Sequence, residues 1–504
     1  MSSNPAYSEL LPDLRRNVAA RLPSFLAAQR WFGGKARQIL EVEITDAVPV
    51  GREEGAAVVL FASVKYADGG PETYSIPVIL RAQRDSHSLE DAFSRPQFLA
   101  ELLEIMKRKA ELSGKKGSLR GCQASSFGEL FPSSESAQPK RLTGEQSNSS
   151  VIYGERGILK FFRRVDAGEN PDLEIGKFLT ERARFPYVPR IAGWIEYQPQ
   201  HGKTATQAIL QEFVPNQGDA WRYAQKILSA FYEQAADARL FSQECKEFAG
   251  EPMARLLGDI TLLGKRTAEL HLALASGGDD AAFKPEPFTV EFQGKLERSF
   301  ADLTSGILRL LRARMGDVPP EYRGRAKEIV AREPDILQRF RTALSAPIHA
   351  MRLRIHGDYH LGQVLYTGSD FMIIDFEGEP ARPLEERRIK QSPLQDVAGM
   401  LRSFHYAAFA PLLTPPAGSP VSLSKSAGLS RLAETWSRCA ADRFLGQYYE
   451  TSGAAPYLPA EPGDSASILE TYLLAKAIYE LGYELNNRPA WVGIPLEGIS
   501  RLLL

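Results

Sequence analysis

Cysteine is scarce in this chain: 504 residues hold three, Cys122, Cys245 and Cys439. They are far apart, odd in number and never at metal-ligand spacing. That argues against a disulfide framework and a zinc site, and isolated thiols are expected. Long apolar runs are also lacking, and no stretch approaches the ~20 residues of a membrane-spanning helix. Neither sign of charge is in excess. Lys and Arg number 61 against 62 Asp and Glu, for a net charge of −1. Nothing global therefore attracts nucleic acid or an anionic membrane. The opening MSSNPAYSELLPDLRR has acids early and no apolar core, so it does not read as a secretory signal and a cytoplasmic location is expected. What is present is ordinary globular material, 43% hydrophobic and 24% charged, in a chain long enough for two or three packing units.

Periodicity divides the chain into three. Residues 1–90 read as a small α+β unit. Helical spacing over 7–30 is interrupted by Pro23. A strand at Val58–Val64 follows, then an Asp68-Gly69-Gly70 turn and a returning strand at Thr73–Leu80. Pro77 predicts that this last strand lies on a sheet edge. Residues 91–214 give a helix over 97–112, strands at Ser150–Tyr153, Gly157–Phe162 and Ala208–Val214, and a helical stretch at Leu173–Ala183. Residues 215–504 are mainly helical, with segments at 221–246, 257–275, 290–312, 321–345, 394–409, 427–450 and 465–487. The exception is a β and loop region at 351–376. Pro-rich stretches at 411–420 and 456–462 read as loops.

That exception carries the chemistry. His356-Gly357-Asp358-Tyr359-His360-Leu361-Gly362-Gln363 is followed, across a Thr367–Asp370 turn, by Ile373-Ile374-Asp375-Phe376-Glu377. Asp358, in a loop directly after an apolar strand, is placed to orient or deprotonate an acceptor hydroxyl. Gln363 and Asp375 offer one neutral and one charged oxygen, a sparse set of the kind magnesium accepts alongside water and phosphate. Such a trio suits phosphoryl transfer, whose transition state spreads negative charge over phosphate oxygens. His356 and His360 read as loop anchors, with the alternative that His360 touches the acceptor. Ser392-Pro393-Leu394-Gln395-Asp396 starts a helix, with Ser392 as cap and Asp396 in the first turn supporting the loop.

Further candidates lie elsewhere. Lys160, on an apolar strand, needs an anionic partner, and Glu174 on the following helix is one. Ser147, Asn148 and Ser149, in the segment that begins at Gly144, can present hydroxyls and N–H groups to phosphate. On the last long helix Tyr472, Lys476, Glu480, Glu484 and Arg488 fall at steps of four along one face. Spacing alone fits a solvated face of ion pairs as well as a ligand site.

These motifs resemble the catalytic and metal-binding loops of the aminoglycoside-phosphotransferase and choline-kinase superfamily. Gln363, where that superfamily commonly has Asn, resembles the maltokinase branch. So do Glu145-Gln146-Ser147-Asn148, Phe376-Glu377-Gly378-Glu379-Pro380, the segment from Lys476 to Trp491, and Gln29-Arg30-Trp31-Phe32-Gly33-Gly34-Lys35 near the start. The resemblance implies a bilobal, protein-kinase-like α+β fold with an N-terminal cap and a mainly helical C-lobe. It implies ATP and Mg2+ as cofactors, with adenine on the backbone of Glu212 and Val214 and phosphates on Lys160. It places a sugar near Glu480, Glu484 and Arg488. The implied reaction converts maltose to maltose 1-phosphate, feeding α-glucan synthesis, with a functional link to a trehalose synthase. The sequence does not tell the oligomeric state, for which a monomer is the favoured expectation. A kinase for glucosamine or an aminoglycoside, and a nucleotide-binding pseudokinase acting as a partner module, are the competing expectations.

Overall fold

The computed structural model describes residues 18–51, 57–83, 86–132, 137–142, 147–238, 248, 250–379, 382–413 and 427–504. The expected helix before Val18, the segment Gly144–Gln146, Cys245, Pro380 and the loop over 414–420 lie outside them. The chain forms two units, Met1–Pro215 and Asn216–Leu504.

Unit 1 begins with α1 (Leu22–Ala28), which has Pro23 in its first turn. A four-stranded antiparallel sheet follows, made of β1 (Ile39–Val50), β2 (Ala57–Tyr66), β3 (Glu72–Gln83) and β4 (Ser86–Asp91) in that order. The unbroken apolar run of β2 has a simple cause, since both of its faces are covered. Val58, Leu60, Ala62 and Val64 enter one core with α1, Trp31 and Phe32. Ala57, Val59 and Phe61 enter another. Alternation of period two sorts them. On β1 a register shift between Ile44 and Asp46 inserts one residue. Val42 and Ile44 before it share a face with Ala47 after it, because an inserted residue flips strand parity.

The second core is roofed by α2 (Pro96–Lys107) and a seven-stranded antiparallel sheet. That sheet holds β5 (Glu111–Ser113), β6 (Gly117–Gln123), β7 (Pro139–Arg141), β8 (Asn148–Tyr153), β9 (Gly157–Phe162), β10 (Ile191–Pro199) and β11 (Ala205–Glu212). Its order is β5-β6-β10-β11-β9-β8-β7. A single turn, α3 (Phe127–Leu130), follows β6, and α4 (Pro171–Lys177) follows β9. Asn170 caps α4, its side chain accepting from Asp172 N–H at 2.9 Å. The sequence reading lacked β10, which lies between β6 and β11.

Two expectations are corrected. Pro77 is not on an edge strand, because β3 lies between β2 and β4. It is tolerated because β3 changes partner there. Thr73–Ser75 bond to Arg163 and Val165, whereas pairing with β4 begins at Val78. Pro77, which has no N–H, falls in the gap. The cysteines are not all isolated thiols. Cys122 is free and buried, but Cys439 is disulfide-bonded, and linear spacing says nothing about which distant thiols a fold brings together.

Unit 2 is mainly helical: α5 (Ala220–Ala238), α6 (Met253–Ala275), α7 (Val290–Ala313), α8 (Arg323–Ala331), α9 (Glu333–Ala343), the turn α10 (Leu384–Arg387), α11 (Leu394–Leu413), α12 (Ala427–Ser452), α13 (Pro462–Asn487) and α14 (Gly493–Leu502). Two short antiparallel pairs interrupt it. One joins β12 (Glu286–Pro287) to β13 (Met351–Arg352), and the other joins β14 (Val364–Tyr366) to β15 (Phe371–Ile373). Among the described residues no helix is long and apolar enough to cross a membrane. α6 and α12 touch where Gly264 faces the Phe444 carbonyl, and a Cβ on Gly264 would come within 2.4 Å of that oxygen. Gly264→Ala is therefore expected to destabilise the protein by about 1–3 kcal/mol through overpacking, read as a lower urea midpoint with an unchanged slope.

Candidate active site

The loop from His356 to Leu361 is held by one stripe of α11. Asp396, Gly399 and Ser403 follow helical steps of three and four, so they share a face. The buried Asp396 carboxylate accepts the His356 N–H at 2.8 Å and the Gly357 N–H at 2.9 Å. His271 of α6 lies 3.3 Å from it through Nε2, with Nδ1 at 2.9 Å from the Tyr448 hydroxyl. A Cβ on Gly399 would meet the Tyr359 carbonyl at 2.6 Å, so glycine lets the loop lie on the helix. The Ser403 hydroxyl accepts from Leu361 N–H at 3.1 Å. Gly357 turns the chain with φ +83°, a conformation that favours glycine.

His356 is an anchor. Its Nε2 donates to the Ile374 carbonyl at 2.9 Å, which leaves Nδ1 as the acceptor for Asp358 N–H at 3.4 Å. Asp358 leaves the loop partly exposed. Lys476 Nζ of α13 stands 3.6 Å from Oδ1, and His360 Nε2 stands 3.9 Å from Oδ2. His360 Nδ1 accepts from Gly362 N–H at 3.0 Å. Burial lowers the His360 pKa from the usual imidazole value, against the opposing pull of Asp358. The carboxylate thus has an ammonium on one side and an imidazole N–H on the other.

The β14–β15 hairpin brings the other two motif residues together. Gln363 Nε2 donates to Asp375 Oδ2 at 2.8 Å. Asp375 has φ +68°, left-handed and uncommon for a residue with a side chain; backbone strain of this kind clusters at functional sites. The hairpin turn is fixed from α6, where Arg266 holds both Asp370 oxygens at 2.9 and 2.6 Å.

On α13 the structure sorts the predicted face residue by residue. Lys476 reaches Asp358. Glu480 is paired with Arg402 at 2.7 Å. Glu484 is 1% exposed, accepts from the Tyr406 hydroxyl at 3.1 Å and is bridged by Arg488 at 2.7 Å. Burial raises the Glu484 pKa, and Arg488 acts against that shift. The Arg488 guanidinium lies 4.4 Å over the Trp491 ring. The carboxylates at 480 and 484 are thus already neutralised, and Lys476 is the member of the face at Asp358. Sequence reasoning placed Lys476 on this face but passed over it as a candidate. The signal available was that it is the first charged residue of that stripe, following Tyr472.

In unit 1, Lys160 Nζ lies 3.5 Å from Asp172 Oδ2 in the first turn of α4, two residues before the predicted Glu174, which is also buried. Asp172 was missed, although Asn170-Pro171-Asp172 is a helix start in which a carboxylate is favoured. Of the predicted phosphate segment, Ser147 precedes β8 and Asn148 opens it opposite Phe162. Ser149 is 5% exposed, and its hydroxyl accepts from Arg163 Nε at 2.8 Å, so its side chain serves the interior. Glu212 donates its N–H to the Arg190 carbonyl, and its carboxylate takes the Arg190 guanidinium at 2.8 and 3.0 Å. A cavity of about 360 Å³ lies beside Glu212 and Phe213. Val214 follows at the end of the same unit.

Residues 25–97 match the maltokinase N-terminal cap domain. A glucosamine kinase of Mycolicibacterium smegmatis is 27% identical over 377 residues, covering 73% of this chain and 81% of that one. A glucosamine kinase of Streptacidiphilus jiangxiensis is 24% identical over 365 residues, covering 71% and 72%. Among solved structures, glucosamine kinase in crystal form B superposes with a TM-score of 0.65 at 20% identity, covering 97% of this chain and 99% of that one. Glucosamine kinase in complex with glucosamine, ADP and inorganic phosphate gives 0.64 at 20%, covering 92% and 94%. Residues 25–97 are thus similar to the maltokinase N-terminal cap domain, and over nearly its whole length the chain has the fold of the glucosamine kinases.

Proposed function

We propose that the chain is an ATP-dependent sugar kinase whose acceptor is maltose, giving maltose 1-phosphate. The observation that carries the reading is the Asp358 carboxylate, fixed at the end of a buried loop beside Lys476 and His360 and followed by the Gln363–Asp375 pair. Asp358 orients the acceptor hydroxyl and takes its proton as the new O–P bond forms to the γ-phosphorus of ATP and the β,γ-bridging O–P bond breaks, releasing ADP. Lys160 holds nucleotide phosphates, and Asp172 steadies its ammonium. Gln363 and Asp375 suit a magnesium ion by donor chemistry, since both offer hard oxygens. When bound, the ion neutralises charge developing on the phosphates. The backbone of Glu212 and Val214 is assigned to adenine.

Electrostatics favours a neutral acceptor. Lys476 beside Asp358 repels an ammonium, while Glu480 and Glu484, which a cationic sugar would need, are paired with Arg402 and Arg488. The cap domain points the same way. The names of the two curated relatives favour a second reading, in which the acceptor is glucosamine. The test is product analysis after incubation with ATP, magnesium and, separately, maltose, glucose, glucosamine and an aminoglycoside. A phosphorylated disaccharide is the expected result. Turnover with glucosamine alone replaces the first reading by the second, and nucleotide binding without any turnover removes both. The maltose reading carries with it the functional link to a trehalose synthase.

A further inference from the structure

Among the described residues of unit 1, Arg163 is the most deeply buried cation. It directly follows β9, the strand that carries Lys160, and its side chain is 0% exposed. Such a group is destabilising unless its charge and donors are met. The cap domain meets the charge and one donor nitrogen, Nη2, whereas Nη1 has no hydrogen-bond partner among the described residues. Asp91, the last residue of β4, takes Arg163 Nη2 on both oxygens at 3.1 and 3.0 Å. Trp31 and Phe93, also in the matched region 25–97, cover the guanidinium with ring centroids 4.5 and 4.4 Å from its carbon. The backbone of β3 bonds the same stretch, with Ser75 N–H on the Arg163 carbonyl and Val165 N–H on the Thr73 carbonyl, both at 2.8 Å. A further bond goes outward from the cap, from Arg163 Nε to the Ser149 hydroxyl at 2.8 Å. Ser149 belongs to β8, one residue after Asn148 and directly across from Phe161.

We infer that the cap acts as a clamp on the nucleotide-binding hairpin: Asp91 and Arg163 are positioning residues that, through Ser149, set the start of β8 where phosphate is held. The inference rests on the proposal that Lys160 holds nucleotide phosphates, together with the expectation from the sequence that the segment at Ser147–Ser149 lies against them. It gives the cap a function inside its own unit. The cap is fastened to the β8–β9 hairpin by a charge pair and two strand bonds, and Ser149 is the point at which that fastening reaches the phosphate segment. It also explains Trp31 in the Gln29–Lys35 motif, whose ring closes the Arg163 pocket.

The experiment uses the full chain and measures ADP affinity by calorimetry, with KM for ATP, KM for the sugar, kcat and Tm. Ser149→Ala removes the link but leaves the Arg163–Asp91 pair. It is expected to weaken ADP and raise KM for ATP by about tenfold, the size of one hydrogen bond to a charged group. The sugar KM should stay near wild type, while Tm should fall, because the buried Arg163 Nε–H loses its acceptor. Ser149→Thr keeps the hydroxyl and should restore ADP affinity. Asp91→Asn should weaken ADP in the same direction, with a lower Tm. Lys160→Met separates the two levels of argument. If it abolishes ADP binding while Ser149→Ala changes nothing, the clamp is wrong and the nucleotide reading survives. If Lys160→Met leaves ADP binding intact, the reading beneath the clamp is wrong as well. A fall in Tm in Ser149→Ala with unchanged ADP affinity assigns the network to stability and overturns the clamp.

Discussion

Asp358→Asn is expected to lower kcat by about 10²–10⁴-fold, the range for losing a positioned general base, with ADP affinity and Tm unchanged. The substitution conserves size and leaves the loop's anchors alone, because those are the backbone N–H groups of His356, Gly357 and Leu361 rather than the Asp358 side chain. What it removes is a charge. The carboxylate stands between Lys476 at 3.6 Å and His360 at 3.9 Å, and an amide there can still touch an acceptor hydroxyl but cannot take its proton. KM for the sugar should therefore move much less than kcat. Turnover within about twofold of wild type would remove Asp358 from the mechanism and the kinase proposal with it.

Asp396→Ala is expected to produce the largest loss of stability, about 3–5 kcal/mol, as for a broken buried charged network. The carboxylate is 1% exposed and serves two loop amides and His271 at once. Deleting it leaves two buried N–H donors unmet, each costing about 1–3 kcal/mol. Chemical denaturation gives the size of the effect. Amide exchange gives its place, since His356 and Gly357 should lose protection before α13 does. Asp396→Asn keeps one acceptor oxygen and should fall between the two. A loss below about 1 kcal/mol would mean that water meets those donors and that α11 does not hold the loop.

How much of this was legible beforehand follows from what each feature depends on. The motif from His356 to Glu377 reads directly, because loop, strand, turn and strand lie within one short stretch and local backbone rules bring Gln363 to Asp375. The start of α11 reads equally well: Ser392, Pro393 and Asp396 are a local cap, and the Ser392 hydroxyl accepts from Leu394 N–H at 3.3 Å. Asp396 also meets amides forty residues before it. Its first-turn position hinted at this, but Gly399 and Ser403 on the same stripe gave no hint in isolation. β10 was missed although it alternates, and Pro77 was assigned to an edge because a proline rule sees one strand and not the change of partners beside it.

Sequence alone determined the order of elements in the catalytic region, the helical face from Lys476 to Arg488 and the near-zero net charge. These depend on neighbours along the chain. Tertiary structure alone decided which member of that face meets Asp358, that Glu480 is already spent on Arg402, that Lys160 meets Asp172, and that the cap grips Arg163. An ion pair between distant residues depends on how helices and strands pack, and packing is set by the summed fit of many apolar side chains. No single spacing encodes it.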